Sequence, residues 1–350
     1  MTSFLLRGPM NTFSNFNCRV WIKESEIRRI FLLCVMFFAL CVSVEAQQEK
    51  KLARIGYLGS RSSSDAPWIN EFRAGLSEFG YVEGQNIIVE YRYWEGKLER
   101  LPELAAELVR LNCDVLLTGG VEATEAAKNA TKTIPIVMAF SGADPVRRGI
   151  ITSLAQPGGN ITGLASINAD LTGKRLELLK EVVPTLSRVA MLSSPTSSAG
   201  PTGLKETQAV ARSLAITIQS FEVKTPDEIE AVFKTATKQR AGALMVQPGG
   251  FVGFHGKQIV ELTEKNRLPT VYPSITFVDT GALMIYAEDR IAHFRRAAWY
   301  VDKILKGTKP ANLPAEQPKK FYLVINLNAA KRIDLSIPPN VLARADRVIR

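Results

Sequence analysis

The chain has 350 residues, 46% of them hydrophobic and 22% charged, with a formal net charge of +10. That length exceeds the usual single domain and predicts two compact units, while the composition excludes a disordered or collagen-like chain. Residues 1–46 hold five basic and three acidic residues, so the remainder keeps about +8, scattered among acidic residues without the basic stripe and interleaved aromatics that nucleic-acid binding needs.

The first element is the uncharged apolar run Ile30 to Val44, preceded by Arg28 and Arg29 and followed by Glu45 and Ala46. It is shorter than the roughly twenty residues that span a bilayer, and Val44 and Ala46 supply the small residues before a cleavage site. Residues 1–46 therefore read as a signal peptide cut after Ala46, with no stable membrane insertion afterwards; a retained anchor is the alternative, and the long stretch before the run makes Met10 an alternative start. Leu33 before Cys34 and Leu40 before Cys41 argue against a lipid-acceptor cysteine. Cleavage removes Cys18, Cys34 and Cys41, so no disulfide framework is expected, and Cys113, opening the apolar run at Val115, reads as a small core residue.

From Leu52 onward, short apolar runs alternate with helical patterns. The predicted strands are Arg54 to Leu58, Ile87 to Tyr93, Val115 to Thr118, Ile134 to Ala139, Val189 to Leu192, Ala243 to Val246 and Tyr322 to Ile325. Most are apolar throughout, as in parallel sheets covered on both faces. Between them Trp68, Phe72, Leu76 and Phe79 share a helix face, as do Leu101, Leu104, Leu108 and Leu111. Interruptions at Gln156 to Asn160, Pro273 to Gly281 and Pro310 to Pro318 suggest three crossings. The predicted fold is thus α/β: two doubly wound parallel-sheet lobes joined by three crossover segments. Residues 52–163 plus about 282–310 would form the N-terminal lobe, and 164–281 plus about 318–350 the C-terminal one.

Ligands of open parallel sheets sit beyond the carboxyl ends of the strands, where loops and helix N-termini offer unpaired N–H groups. Gly59, Ser60 and Ser63 follow the first strand in a hydroxyl-rich loop that suits an oxyanion, with Asp65 a candidate helix cap. Thr118, Gly119 and Gly120 follow the third, and the glycines would let backbone approach a ligand. Phe140, Ser141 and Asp144 follow the fourth; Asp144 either faces an amine or caps the next helix. In the second lobe the corresponding positions are Ser193, Ser194, Thr196, Gln247 and Tyr272. His255 and His293 have no partners at the spacing of a triad or metal site, and no phosphate-binding fingerprint is present, so no catalytic residue, metal or cofactor is expected.

Several longer stretches carry a resemblance. Arg54-Ile55-Gly56-Tyr57-Leu58-Gly59, Gly80-Tyr81-Val82-Glu83-Gly84-Gln85-Asn86, Thr133-Ile134-Pro135-Ile136-Val137, Asp144-Pro145-Val146 and Gln156-Pro157-Gly158-Gly159-Asn160-Ile161-Thr162-Gly163 all contribute. So do Lys174 to Lys180, Tyr300 to Gly307 and Gln317 to Asn326. From about residue 53 to the C-terminus the chain resembles the ABC transporter substrate-binding family, whose members include tryptophan and aromatic amino-acid binders with a type I periplasmic-binding-protein fold. Where a Gly-Gly-Leu-Met-Ser-Tyr-Gly stretch is expected, this chain has Gly281-Ala282-Leu283-Met284-Ile285-Tyr286-Ala287, which predicts a different cleft near that crossing.

The resemblance implies a periplasmic, monomeric binder of a small organic molecule, an amino acid or related carboxylate, held at the strand-end loops named above. Its partners would be an ABC permease and its ATPase, with no nucleic acid. A ligand-sensing receptor for a membrane signalling partner is the alternative, and an α/β hydrolase a more distant one.

Overall fold

Apolar runs flanked by helical patterns become strands buried on both faces, because the helices they alternate with pack back on either side of the sheet. The computed structural model describes residues 52–60, 67–168, 170–195 and 200–350. The predicted signal segment, Ser63, Asp65 and Thr196 lie outside the described residues.

The chain begins with β1 (Ala53–Gly59), α1 (Pro67–Glu78), β2 (Ile87–Tyr93), α2 (Leu101–Arg110), β3 (Val115–Gly119), α3 (Val121–Ala130), β4 (Ile136–Phe140) and β5 (Ile161–Gly163). It continues with α4 (Leu171–Val182), β6 (Arg188–Ser193), α5 (Gly200–Ser213), β7 (Thr217–Glu222), α6 (Pro226–Lys238), β8 (Ala243–Val246), α7 (Gly250–Phe254), α8 (Gly256–Lys265), β9 (Thr270–Tyr272) and β10 (Met284–Glu288). It ends with α9 (Arg290–Leu305), β11 (Phe321–Asn326), α10 (Leu327–Arg332), α11 (Pro339–Leu342) and β12 (Arg347–Ile349).

The strands form two sheets. The first has the order β2-β1-β3-β4-β5, wholly parallel, and the second the order β12-β11-β10-β9-β8-β6-β7, parallel except where β10 meets β11. Each lobe has a core on both faces of its sheet. Ile55, Val115, Leu117 and Val137 pack beneath α1 and α9, while Leu58, Leu116, Ile136 and Met138 pack against α2 and α3. Cys113 belongs to that second layer, and burial pushes its thiol up to about 11, well away from thiolate chemistry. Helix α9 returns to the first lobe and lies so close to α1 that a Cβ on Gly75 would stand 2.6 Å from the carbonyl of Arg295.

The lobes are joined after β5, between β10 and α9, and before β11. The three crossings bond to one another: Glu316 N–H donates to Gly163 O at 3.0 Å, Ala165 N–H to Glu316 O at 2.8 Å, and Asp289 N–H to Lys320 O at 3.3 Å. The first two crossings come one strand later than their predicted markers, whereas the third lies at the end of Pro310–Pro318. Gln156–Asn160 is a turn feeding β5, and Pro273–Gly281 is a loop and 3-10 turn feeding β10. Glycine and proline mark turns; the crossings themselves stay extended and hydrogen-bonded, so they leave no breaker signature. Consequently β10 lies in the second sheet, and the first lobe resumes only after Glu288. Ile285 and Ala287, the bulkier residues of the divergent stretch, point into the second lobe's core and not into the cleft.

A buried polar knot holds this junction. Glu288 Oε1 accepts from Ser166 Oγ at 2.8 Å and from Ile167 N–H at 2.7 Å. Arg175, fully buried, donates to Tyr286 O at 2.8 Å, to Asn168 O at 2.9 Å and to Asn168 Oδ1. Asn168 in turn donates to Pro273 O at 3.2 Å. Burial, partly offset by those bonds and by Arg175, pushes the Glu288 carboxyl up to about 7, and its Oε2 has no hydrogen-bond partner among the described residues. An acid whose pKa rises from 4.5 to about 7 on folding binds more protons in the native than in the unfolded state across that interval, so its contribution to stability falls as pH rises.

Glu288→Gln keeps an acceptor toward Ser166 and Ile167 without the charge. Relative to this variant, the wild type is expected to lose on the order of 2 kcal/mol of unfolding free energy between pH 5 and pH 8, measured by urea denaturation; parallel pH profiles would contradict the assignment. At the first crossing, Gly163 has φ +126° and an added Cβ would lie 2.3 Å from Met138 O. Gly163→Ala is therefore expected to cost on the order of 3 kcal/mol in the same assay.

Candidate functional site

The carboxyl ends of both sheets' parallel strands open on one cleft between the lobes, with a cavity volume of about 80 Å³. Its first-lobe wall is built from Ser60, Trp68, Trp94, Phe140 and the start of α3, Gly120 to Glu122. The second-lobe wall is Pro248 to Gly250, Val252 to Phe254, and Ser274, Thr276 and Phe277; Asn168 enters from the first crossing. Both walls are largely apolar and aromatic, as small-molecule sites commonly are.

Arg290 is the one cationic side chain on the cleft wall among the described residues. It is the first residue of α9, which Asp289 caps by accepting from Ala292 N–H at 2.9 Å. Its guanidinium lies 4.6 Å from the Trp68 ring centroid, 5.1 Å from Phe140 and 5.5 Å from Phe294. These aromatic faces compensate part of the desolvation of the charge. Even so, burial pulls its pKa below the usual arginine value, opposed by Tyr57 and Glu122, and its buried Nε has no hydrogen-bond partner among the described residues. A rigidly stacked guanidinium short of acceptors is matched to a carboxylate, which can accept two parallel N–H bonds.

Glu122 is the only anionic side chain on the cleft wall among the described residues, and it is 7% exposed. It is the second residue of α3, and its Oε1 accepts from Gly250 N–H of the opposite lobe at 2.9 Å. The lobes also touch through apolar groups. A Cβ on Gly250 would stand 2.7 Å from the Trp94 ring, and one on Gly96 2.7 Å from Phe254, so both glycines allow the facing aromatic to seat.

Of the positions predicted from the sequence, the cleft wall gathers Ser60, Gly119, Gly120 and Phe140. The others are placed elsewhere. Gly59 packs on the Tyr57 ring, and Thr118 shares a hydrogen bond with Thr124 Oγ1 at 2.8 Å beneath α3. Ser141 accepts from Ser166 N–H at 2.7 Å, tying β4 to the first crossing. Asp144 caps the turn after it, accepting from Val146 N–H at 2.9 Å and Arg147 N–H at 3.2 Å, and pairs with the Arg147 side chain at 3.3 Å, outside the cleft. Ser193 Oγ donates to Phe221 O at 3.3 Å; Ser194 and Gln247 are buried, the latter donating to Met191 Sδ. Tyr272 shares a hydrogen bond with Thr263 at 2.8 Å and packs on Phe277, one layer behind the wall.

The two charged groups escaped the sequence reading for identifiable reasons. Glu122 stands two residues beyond Gly119-Gly120, inside the helix where a glutamate reads as a solvated first-turn residue. Arg290 follows the carboxyl end of β10, which is not among the strands the apolar runs predict, so it lies outside the loops those strands mark. Neither histidine joins the site as a base: burial brings His293 down to about 4, and His255 sits between Phe251 and Phe254. No metal-holding group of three or more His, Cys, Asp or Glu occurs among the described residues, and no described helix is long and apolar enough to cross a membrane.

Comparison with known proteins agrees with this architecture. A tyrosine-binding protein of Clostridioides difficile is 22% identical over 265 residues, 75% of each chain. The crystal structure of a conserved domain protein from Vibrio cholerae matches with a TM-score of 0.79 and 25% identity, covering 85% of this chain and 100% of that one. An ABC domain from Streptococcus pneumoniae in complex with L-Trp matches with a TM-score of 0.77 and 26% identity, at the same coverages. The fold is that of type I periplasmic binding proteins. The family model for ABC transporter substrate binding proteins matches residues 65–349, and the chain belongs to that family.

Proposed function

We propose that this chain is an exported receptor that captures an amino acid or related carboxylate, an aromatic one by preference, and delivers it to an ABC permease and its ATPase. The observation that carries the reading is Arg290: a guanidinium clamped by Trp68, Phe140 and Phe294 on the wall of an aromatic cleft, with Nε left without an acceptor. A ligand carboxylate supplies that acceptor, and Trp94, Phe254 and Phe277 supply apolar cover for a planar side chain. Relatives described as tyrosine-binding and as bound to L-Trp support the same class.

Binding closes the lobes and chemistry is not required of any cleft residue. Export through residues 1–46, with cleavage after Ala46, and action as a monomer complete the proposal. A permease then reads both lobes at once, since only the closed form holds them in the register set by Glu122 and Gly250.

A thermal-shift screen over amino acids and related carboxylates tests the reading, because a ligand at 100 times its dissociation constant adds about 2.7 kcal/mol of stability. Aromatic amino acids are expected to give the largest shifts. Arg290→Lys retains the charge but not the planar fork and is expected to weaken binding roughly 10- to 100-fold by calorimetric titration. An unchanged affinity would place the carboxylate elsewhere.

A further inference from the structure

The cleft floor and the junction beneath it are one bonded structure. Asn168 on the first crossing and Pro273 in the second lobe both line the cleft, and Asn168 donates to Pro273 O at 3.2 Å. Arg175 grips Asn168, and Ser166 and Ile167, the two residues before it, both donate to Glu288 Oε1. Glu288 is the last residue of β10, at the second crossing, so its carboxyl group ties two of the three crossings together. It is 2% exposed, and its Oε2 is buried with no hydrogen-bond partner among the described residues. Resting on the proposal that ligand capture closes the lobes, we infer that closure is proton-linked through Glu288: its carboxyl group takes up a proton as the lobes close and gives it back to water as they open.

The groups around Glu288 set the sign. The cation facing it is Arg175 of α4, whose N–H groups bond to Asn168 and to Tyr286 O. Asp170, before α4, adds a like charge and stands 3.4 Å from Arg147. Other charges at the junction are engaged elsewhere: Asp289 with Ala292 N–H and Tyr322 Oη, Arg290 with the Trp68 and Phe140 rings, Glu316 with Arg296 at 2.7 Å, and Lys320 over the Tyr322 ring. His293 of α9 is neutral, burial holding it near 4. With the lobes in contact, as Glu122 and Gly250 hold them, the Glu288 carboxyl therefore titrates near 7, burial being the largest cause. Opening the cleft at the Asn168–Pro273 floor admits water to it and returns it toward the ordinary 4.5. Between those values the closed form binds more protons than the open one, so falling pH favours closure; that advantage is lost as pH rises through about 7.

Two measurements on the wild type and on Glu288→Gln test this: small-angle X-ray scattering of the ligand-free protein from about pH 5.5 to 8.5, and calorimetric titration with L-tryptophan in buffers of different ionisation enthalpy. The ligand-free wild type is expected to have a smaller radius of gyration at the acid end of that range. L-Tryptophan binding is expected to take up a proton near pH 7 and to tighten about tenfold from pH 8 to pH 6. Glu288→Gln, which keeps an acceptor for Ser166 and Ile167, is expected to abolish the pH dependence of the radius and the proton uptake together. A wild-type radius that stays constant across the range overturns the inference without the variant, as does a pH response that Glu288→Gln retains in full. Failure of L-tryptophan to bind at every pH overturns the aromatic-ligand reading instead, and the scattering still decides the inference.

Discussion

The structure depends on the hydrogen bonds among its three crossings. Gly163 and Ala165 bond to Glu316, Asp289 bonds to Lys320, and Glu288 gathers Ser166 and Ile167, so the three segments act as one narrow junction. Because each extended segment continues directly from or into a strand, the carboxyl ends of both sheets are held facing each other. The cleft follows from that constraint. So does the position of Arg290, two residues beyond Glu288, where the chain leaves the second sheet and enters α9.

Burying polar groups at such a junction is costly, and the chain resolves the cost in two ways. Arg175 gives its N–H groups to main-chain and amide oxygens around the first two crossings, while burial lowers its pKa to about 9. Glu288 instead moves toward neutrality near pH 7. The knot therefore fixes the geometry of the junction at a cost in desolvation.

The cleft shows the complementary strategy. Arg290 is stacked on aromatic faces that provide no hydrogen-bond acceptor, and its buried Nε has no partner among the described residues. Glycines serve the aromatic packing in turn: Gly59 and Gly119 leave room for the Tyr57 ring behind the wall, and Gly250 leaves room for Trp94 to meet the second lobe. In each of these cases the absent Cβ serves an aromatic neighbour.

The sequence by itself determined the α/β class, the two lobes and the family, because central strands buried on both faces are continuous apolar runs and helix faces repeat every three to four residues. Of the strand-end positions it named, Ser60, Gly119, Gly120 and Phe140 line the cleft. It did not expose β7, a half-exposed polar edge strand, or the three-residue β9, since neither has a run long or apolar enough to stand out. Only the tertiary structure decided which polar residues face the cleft. Asp144 and Glu122 are both acidic residues near strand ends; one is turned outward to cap its own turn and pair with Arg147, the other inward against the opposite lobe. That choice rests on backbone direction after each strand and, for Glu122, on a contact 128 residues away in sequence, quantities that local residue patterns do not encode.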